Sequence, residues 1–191
     1  MQLEELLQQN KITLPEDIRL LCFQAIDFMS KAKDPIHDRK HIFRMLSDLQ
    51  ALLKNSSEIT MKKINFPVLL LTICWHDVWR SGFFPTNLIS LFFTLLWDGI
   101  GGAFKFLYFA NKENLNNSTK NSVFRIISDH GVFRLFVKES LEQKIFFDLD
   151  FLEEYNLIRI VNLKARFLNN KSRSLLRLGK FYFEHFLKKP Y

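Results

Sequence analysis

Residues 66–75 read FPVLLLTICW, an almost wholly apolar run with a proline near its start and Thr72 as its one polar side chain. A helix that is hydrophobic on every side belongs at the centre of a domain. The run ends on His76-Asp77, followed by Val78-Trp79-Arg80 and Ser81-Gly82. An imidazole and an acid at the end of the most buried helix cost on the order of several kcal/mol unless both are satisfied. The rest of the chain must therefore bring partners to this pair.

The rest of the chain reads as helices. Among 191 residues there are six Gly and five Pro, and long stretches carry apolar residues at helical spacing. Few breakers and this periodicity predict an all-α bundle with a central site, and the length suits one domain over residues 1–191. A Thr13 cap region and a leading Pro15 open a helix carrying Leu20, Leu21, Phe23, Ile26 and Met29 to about residue 32, stopped by Asp34-Pro35. The next starts near Asp38 and buries Ile42, Met45, Leu46, Leu49, Leu52 and Leu53. Residues 83–110 are long and greasy, but Asp98, the Gly99/Gly101/Gly102 cluster and Lys105 interrupt any clean span of about 18 apolar residues. They predict two helical pieces hinged at the glycines, forming core or a cavity wall. A membrane-contacting or homodimer-forming patch through 83–110 is the alternative. Residues 111–122 form a polar surface loop or helix cap. His130 ends a short helix that Gly131 stops, and 138–156 are helical. Two basic amphipathic helices fill 157–191.

The formal net charge is +7, with a sequence pI near 9.4 and the basic excess toward the C-terminal end. Such a surface attracts phosphates, nucleic acid or acidic lipid. No zinc-finger, helix-turn-helix or RNA-binding signature accompanies the charge, so nucleic acid is not the expected partner. Cys22 and Cys74 lie outside any CxxC pair and in apolar surroundings, which predicts buried thiols and a reducing compartment. The first residues are polar and acidic, unlike a signal peptide. A cytoplasmic protein is the expectation.

Three stretches carry the acids and imidazoles: HDRKHIFRML with His37, Asp38 and His41, LLLTICWHDVWRS with His76-Asp77 and Arg80, and LEQKIFFDLDFLEEY with Asp148, Asp150 and Glu153. His41 lies one turn before Met45, at the edge of a buried stripe. Asp148 and Asp150 are two residues apart, so on a helix they point about 200° apart and only one faces a given site. Each group has a plain structural role available: a capping pair at His76-Asp77, a core-edge His41, a cap at Asp38, a salt-bridged Arg80. Taken together, two imidazoles and two carboxylates can hold a divalent ion and leave coordination positions open.

In order, spacing and apolar lead-in, these stretches resemble the HD-domain metal-dependent phosphohydrolases over about residues 34–155. The resemblance implies metal ligation by His41, His76, Asp77 and Asp150, the family pattern favouring the second aspartate over Asp148. It implies a divalent ion (Mn, Mg, Fe, Ni or Zn) and hydrolysis of a nucleotide or small phosphorylated metabolite through a metal-activated water. Asp77, Arg80 and His130 would take catalytic parts, Arg80 holding a substrate phosphate and His130 moving protons or serving a second metal. His37 and Asp38 would orient His41, and His185 in the last helix would be structural. The chain departs from the family pattern at Val78-Trp79, where small residues usually follow the doublet. It departs again at Phe151, where a basic residue is common, and at Glu153, where a second Asp usually stands. A degenerate fold of this kind, binding a membrane or a protein, is the alternative function.

Overall fold

The computed structural model describes residues 2–32, 37–82, 88–130 and 140–154. Among these there is no strand. Eight α-helices follow in order: α1 (Leu3–Gln9), α2 (Glu16–Ser30), α3 (Arg39–Lys54), α4 (Glu58–Met61), α5 (Phe66–Trp75), α6 (Leu88–Lys112), α7 (Asn117–Asp129) and α8 (Leu141–Glu154), with a 3-10 turn over Val78–Gly82. The all-α expectation holds. The Asp34-Pro35 break, Gly131, His185 and the segment 157–191 lie outside the described residues.

Helix α5 is the axis. Every side chain from Val68 to Trp75 is buried, and the helix touches α2, α3, α6, α7 and α8. Asn65 caps it, accepting from the Val68 N–H, and Pro67 sits in the first turn, where a missing donor costs nothing. Trp75 anchors the far end: its indole donates to the Leu21 carbonyl of α2 at 3.0 Å, and its ring packs on Phe28, Phe106 and Phe109. Burying a ring of this size contributes about 2–3 kcal/mol.

Two neighbours of α5 set the site. Asp38 caps α3, its Oδ1 accepting from the N–H groups of Lys40 (2.9 Å) and His41 (3.2 Å). The buried stripe of α3 then runs through Ile42, Met45, Leu46, Leu49 and Leu53, and His41 shares that face. Helix α2 starts at Glu16 with Pro15 at its cap, so Thr13 stands outside it, and it ends at Ser30.

Helix α6 corrects the expected hinge. It runs unbroken through Gly99, Gly101 and Gly102. A Cβ on Gly101 would stand 2.5 Å from the Trp79 ring, and one on Gly102 would stand 2.6 Å from the His76 carbonyl oxygen. The glycines serve close approach, not bending. Their poor helix propensity, about 1 kcal/mol each, is offset by the packing they allow. Helix α6 is thereby pressed against the turn that carries His76 and Asp77.

Candidate metal centre

His76 is the C-terminal cap of α5, still in helical conformation, and Asp77 follows at the turn into the 3-10 segment. The helix ends between them, so two adjacent residues can face one point. The Arg80 N–H closes the turn on the Asp77 carbonyl at 2.8 Å. His41 arrives from the first turn of α3. Its Nε2 lies 3.0 Å from His76 Nε2 and 3.5 Å from Asp77 Oδ2, and His76 Nε2 lies 3.2 Å from the same oxygen. All three side chains are buried.

The tautomers make this triangle a site for a cation. His76 Nδ1 stands 2.9 Å from the Ile73 carbonyl, which can only accept, so Nδ1 carries the proton and Nε2 the lone pair. His41 Nδ1 stands 3.0 Å from Glu153 Oε2, an acid whose charge favours a proton on that nitrogen. With both protons on Nδ1, two Nε2 lone pairs face each other across 3.0 Å beside a carboxylate. Lone pairs so placed repel unless a positive charge lies between them. For an ion bound at about 2.1 Å in tetrahedral geometry, neighbouring donors are about 3.4 Å apart, close to the spacings found. His41, His76 and Asp77 could hold a metal ion.

Two more groups come from α7 and α8. Asp150 Oδ1 lies 3.6 Å from His41 Nε2 and 3.9 Å from His76 Nε2. His130, the cap residue of α7, approaches Asp150 Oδ2 at 3.5 Å and Asp77 Oδ1 at 3.6 Å. Asp148, two residues before Asp150, is exposed. Burial raises the Asp77 carboxyl, but the neighbouring imidazoles of His76 and His37 and the contacts with His130 outweigh it and hold it well below the usual carboxylate range. The Asp150 carboxyl is likewise raised by burial and lowered further by His130, His76 and His41, for a net fall. Burial opposes a charge on His130, yet Asp150, Asp77 and Asp98 lift its pKa to about 9. A proton on His130 stands in for positive charge that these acids require.

The outer ring of the site was only partly legible in the sequence. Arg80 Nε donates to Asp98 Oδ2 at 2.6 Å, and Nη2 bonds the same oxygen. Arg80 Nη1 lies 2.8 Å from His37 Nε2, and His37 in turn is 3.9 Å from Asp77 Oδ2. Arg80 is thus anchored on α6. Asp98, with Asp77 and His130, forms a second group whose ligand atoms lie within 4.8 Å of one another. Among the described residues, Asp77 Oδ1 and Asp98 Oδ1 are buried without a hydrogen-bond partner. Neither Asp98 nor Glu153 was singled out as a site residue. The signal for Asp98 was its isolation, a lone acid among apolar residues that had to be paired. For Glu153 it was the spacing of three from Asp150, which puts both on one helix face.

Compared with protein-family models, curated proteins and solved structures, the chain matches none. The fold and the site define a class: an all-α protein whose central helix ends in a buried His/Asp cluster able to take a metal ion.

Proposed function

We propose that the protein is a metal-dependent phosphohydrolase acting on a nucleotide or small phosphorylated metabolite. His41, His76, Asp77 and Asp150 hold the ion in this reading. The observation that carries it is the 3.0 Å approach of two buried Nε2 atoms beside Asp77 Oδ2. The HD-type resemblance of HDRKHIFRML, the His76-Asp77 doublet and FFDLDFLEEY supports the same chemistry. A bound divalent ion supplies Lewis acidity and lowers the pKa of a coordinated water. Mixed imidazole and carboxylate donors favour Mn, Fe, Ni or Zn over Mg.

The remaining work falls to the chain's own groups. The partly exposed side chains of Asp150, His130 and Arg80 mark the side from which a substrate enters, since His41 and His76 are sealed. His130 faces that side and can pass a proton between water and a leaving oxygen. Arg80, locked by Asp98 and His37, sets a fixed positive charge beside Asp77 where a phosphate would lie. Asp98 and Glu153 do not touch substrate. They fix Arg80 and His41.

The test is phosphate release from a panel of nucleotides and phosphorylated metabolites, with protein stripped by chelator and reloaded with each metal. Activity that returns with Mn, Fe, Ni or Zn and is absent in His76→Ala and His130→Ala supports the reading. Metal-loaded protein that releases no phosphate from any of them refutes it.

A further inference from the structure

Helix α6 has two faces of opposite character. Its inner face buries Thr94, Asp98 and Phe106 against the body, and toward its C-terminal end Ala103 and Ala110 are buried as well. Its outer face carries Ile89, Phe92, Phe93, Trp97, Phe104 and Tyr108, each between 52% and 71% exposed. At about 100° per residue these six fall within one arc of roughly 160°, with Ile100 in the middle. At 1.5 Å rise per residue the arc runs for about 28 Å. No charge interrupts it. Asp98 turns inward to Arg80, and Lys105 Nζ reaches the Val78 carbonyl at 3.1 Å. Half-exposed side chains of this size make a patch on the order of 500 Å², at the upper end for a soluble monomer.

We propose that this face docks on an anionic lipid bilayer, with α6 lying flat in the interface. Among the described residues no helix is long and apolar enough to cross a membrane, so the contact is peripheral. Trp97 and Tyr108 are side chains that settle at the boundary between headgroups and acyl chains. Lys112 stands at the end of the arc, its Nζ 4.4 Å over the Tyr108 ring, where it meets the headgroup level.

Charge selects the partner. Residues 1–154 are nearly balanced, with 18 basic and 19 acidic side chains, whereas the segment after Glu154 holds nine basic residues and one acid, Glu184. An anionic surface attracts such a segment electrostatically. A second copy of the chain would bring another +7 and be repelled. The arc itself offers no acid to pair with the basic segment. An apolar face and a polybasic stretch are the two signals that together hold a protein on a bilayer. The metal reading plays no part in this docking.

The experiment is sedimentation of the full chain with vesicles of phosphatidylcholine alone, and of phosphatidylcholine with about one-third phosphatidylserine. The wild type is expected to bind the anionic vesicles about tenfold or more tightly than the neutral ones, with affinity falling as salt rises. The double variant Phe93→Glu/Trp97→Glu changes exposed positions only, and unchanged thermal melting verifies its fold. It is expected to lose about tenfold or more in affinity. Equal binding to both vesicle types, no binding to either, or a variant that binds like the wild type overturns the proposal. So does light scattering that shows a dimer which the same substitutions dissociate, since the occupant is then a second copy.

Discussion

His41 and Glu153 are both wholly buried, and Nδ1 of the one lies 3.0 Å from Oε2 of the other. The second oxygen of Glu153 takes the Arg44 guanidinium, so α3 and α8 are joined by a charged chain that ends on the His41 imidazole. Glu153→Gln keeps the shape and removes the charge that fixes the His41 tautomer. Cation affinity is expected to fall about 10–100-fold, read by competition with a fluorescent chelator. An unchanged affinity would reduce Glu153 to a partner of Arg44 alone.

Asp98 holds Arg80 in a partly buried pair. Asp98→Asn removes the nearer of the guanidinium's two counter-charges, Asp77 Oδ1 lying 3.9 Å from Nε, and a loss of about 2–4 kcal/mol is expected in urea unfolding. That is toward the lower end for buried pairs, because Arg80 keeps some solvent. The double variant Asp98→Leu/Arg80→Met removes both charges and is expected to recover most of the loss. If the separate costs of Asp98→Leu and Arg80→Met simply add in that double variant, the two side chains are not coupled.

Gly102→Ala improves helix propensity by about 1 kcal/mol yet forces a Cβ against the His76 carbonyl oxygen. Backbone cannot step aside as a side chain can, so a net destabilisation of about 1–3 kcal/mol is expected, with weakened metal binding. Gly82→Ala is the control: nothing lies within 4 Å of the added Cβ, and thermal melting should barely change. If Gly102→Ala melts at or above the wild type, α6 does not press on the site as described.

The titrating groups give the metal-free protein a stability window. Asp77 and Asp150 sit below their ordinary 3.8, so their contribution is present above pH 3.8 and is lost as pH falls through their folded values. His130 is raised from 6.5 to about 9, so its contribution is complete below pH 6.5 and is lost as pH rises through 9. The melting temperature of the stripped protein should therefore be highest between these limits and decline toward pH 9. Metal loading places positive charge beside His130 and should expel its proton at neutral pH. Calorimetry of Mn or Zn binding in buffers of different ionisation enthalpy reads that release directly. No proton release at pH 7 would contradict the placement of His130.

The bundle was legible because its strongest signals are local. The apolar run to Trp75, the Asp38 cap and the α3 stripe each determine a helix by periodicity and end chemistry. The His76-Asp77 pair was legible for the opposite reason, as polar groups too costly to bury unpartnered. The unbroken course of α6 was not legible. Three clustered glycines read as a hinge unless the groups they accommodate, the Trp79 ring and the His76 carbonyl, are known from another element. Asp98 and Glu153 escaped for the same reason: their partners Arg80 and His41 lie 18 and 112 residues away in sequence. Side-chain pairing across helices leaves no periodic trace.

The most direct measurement is the metal content of protein dialysed against Mn or Zn and freed of excess ion, read by mass spectrometry against protein concentration. About one ion or more per chain is expected in the wild type, with little left in His41→Ala, His76→Ala or Asp77→Asn while each variant keeps its helical spectrum. A wild type that retains no ion, or variants that retain as much as the wild type, would contradict a cation held between His41, His76 and Asp77.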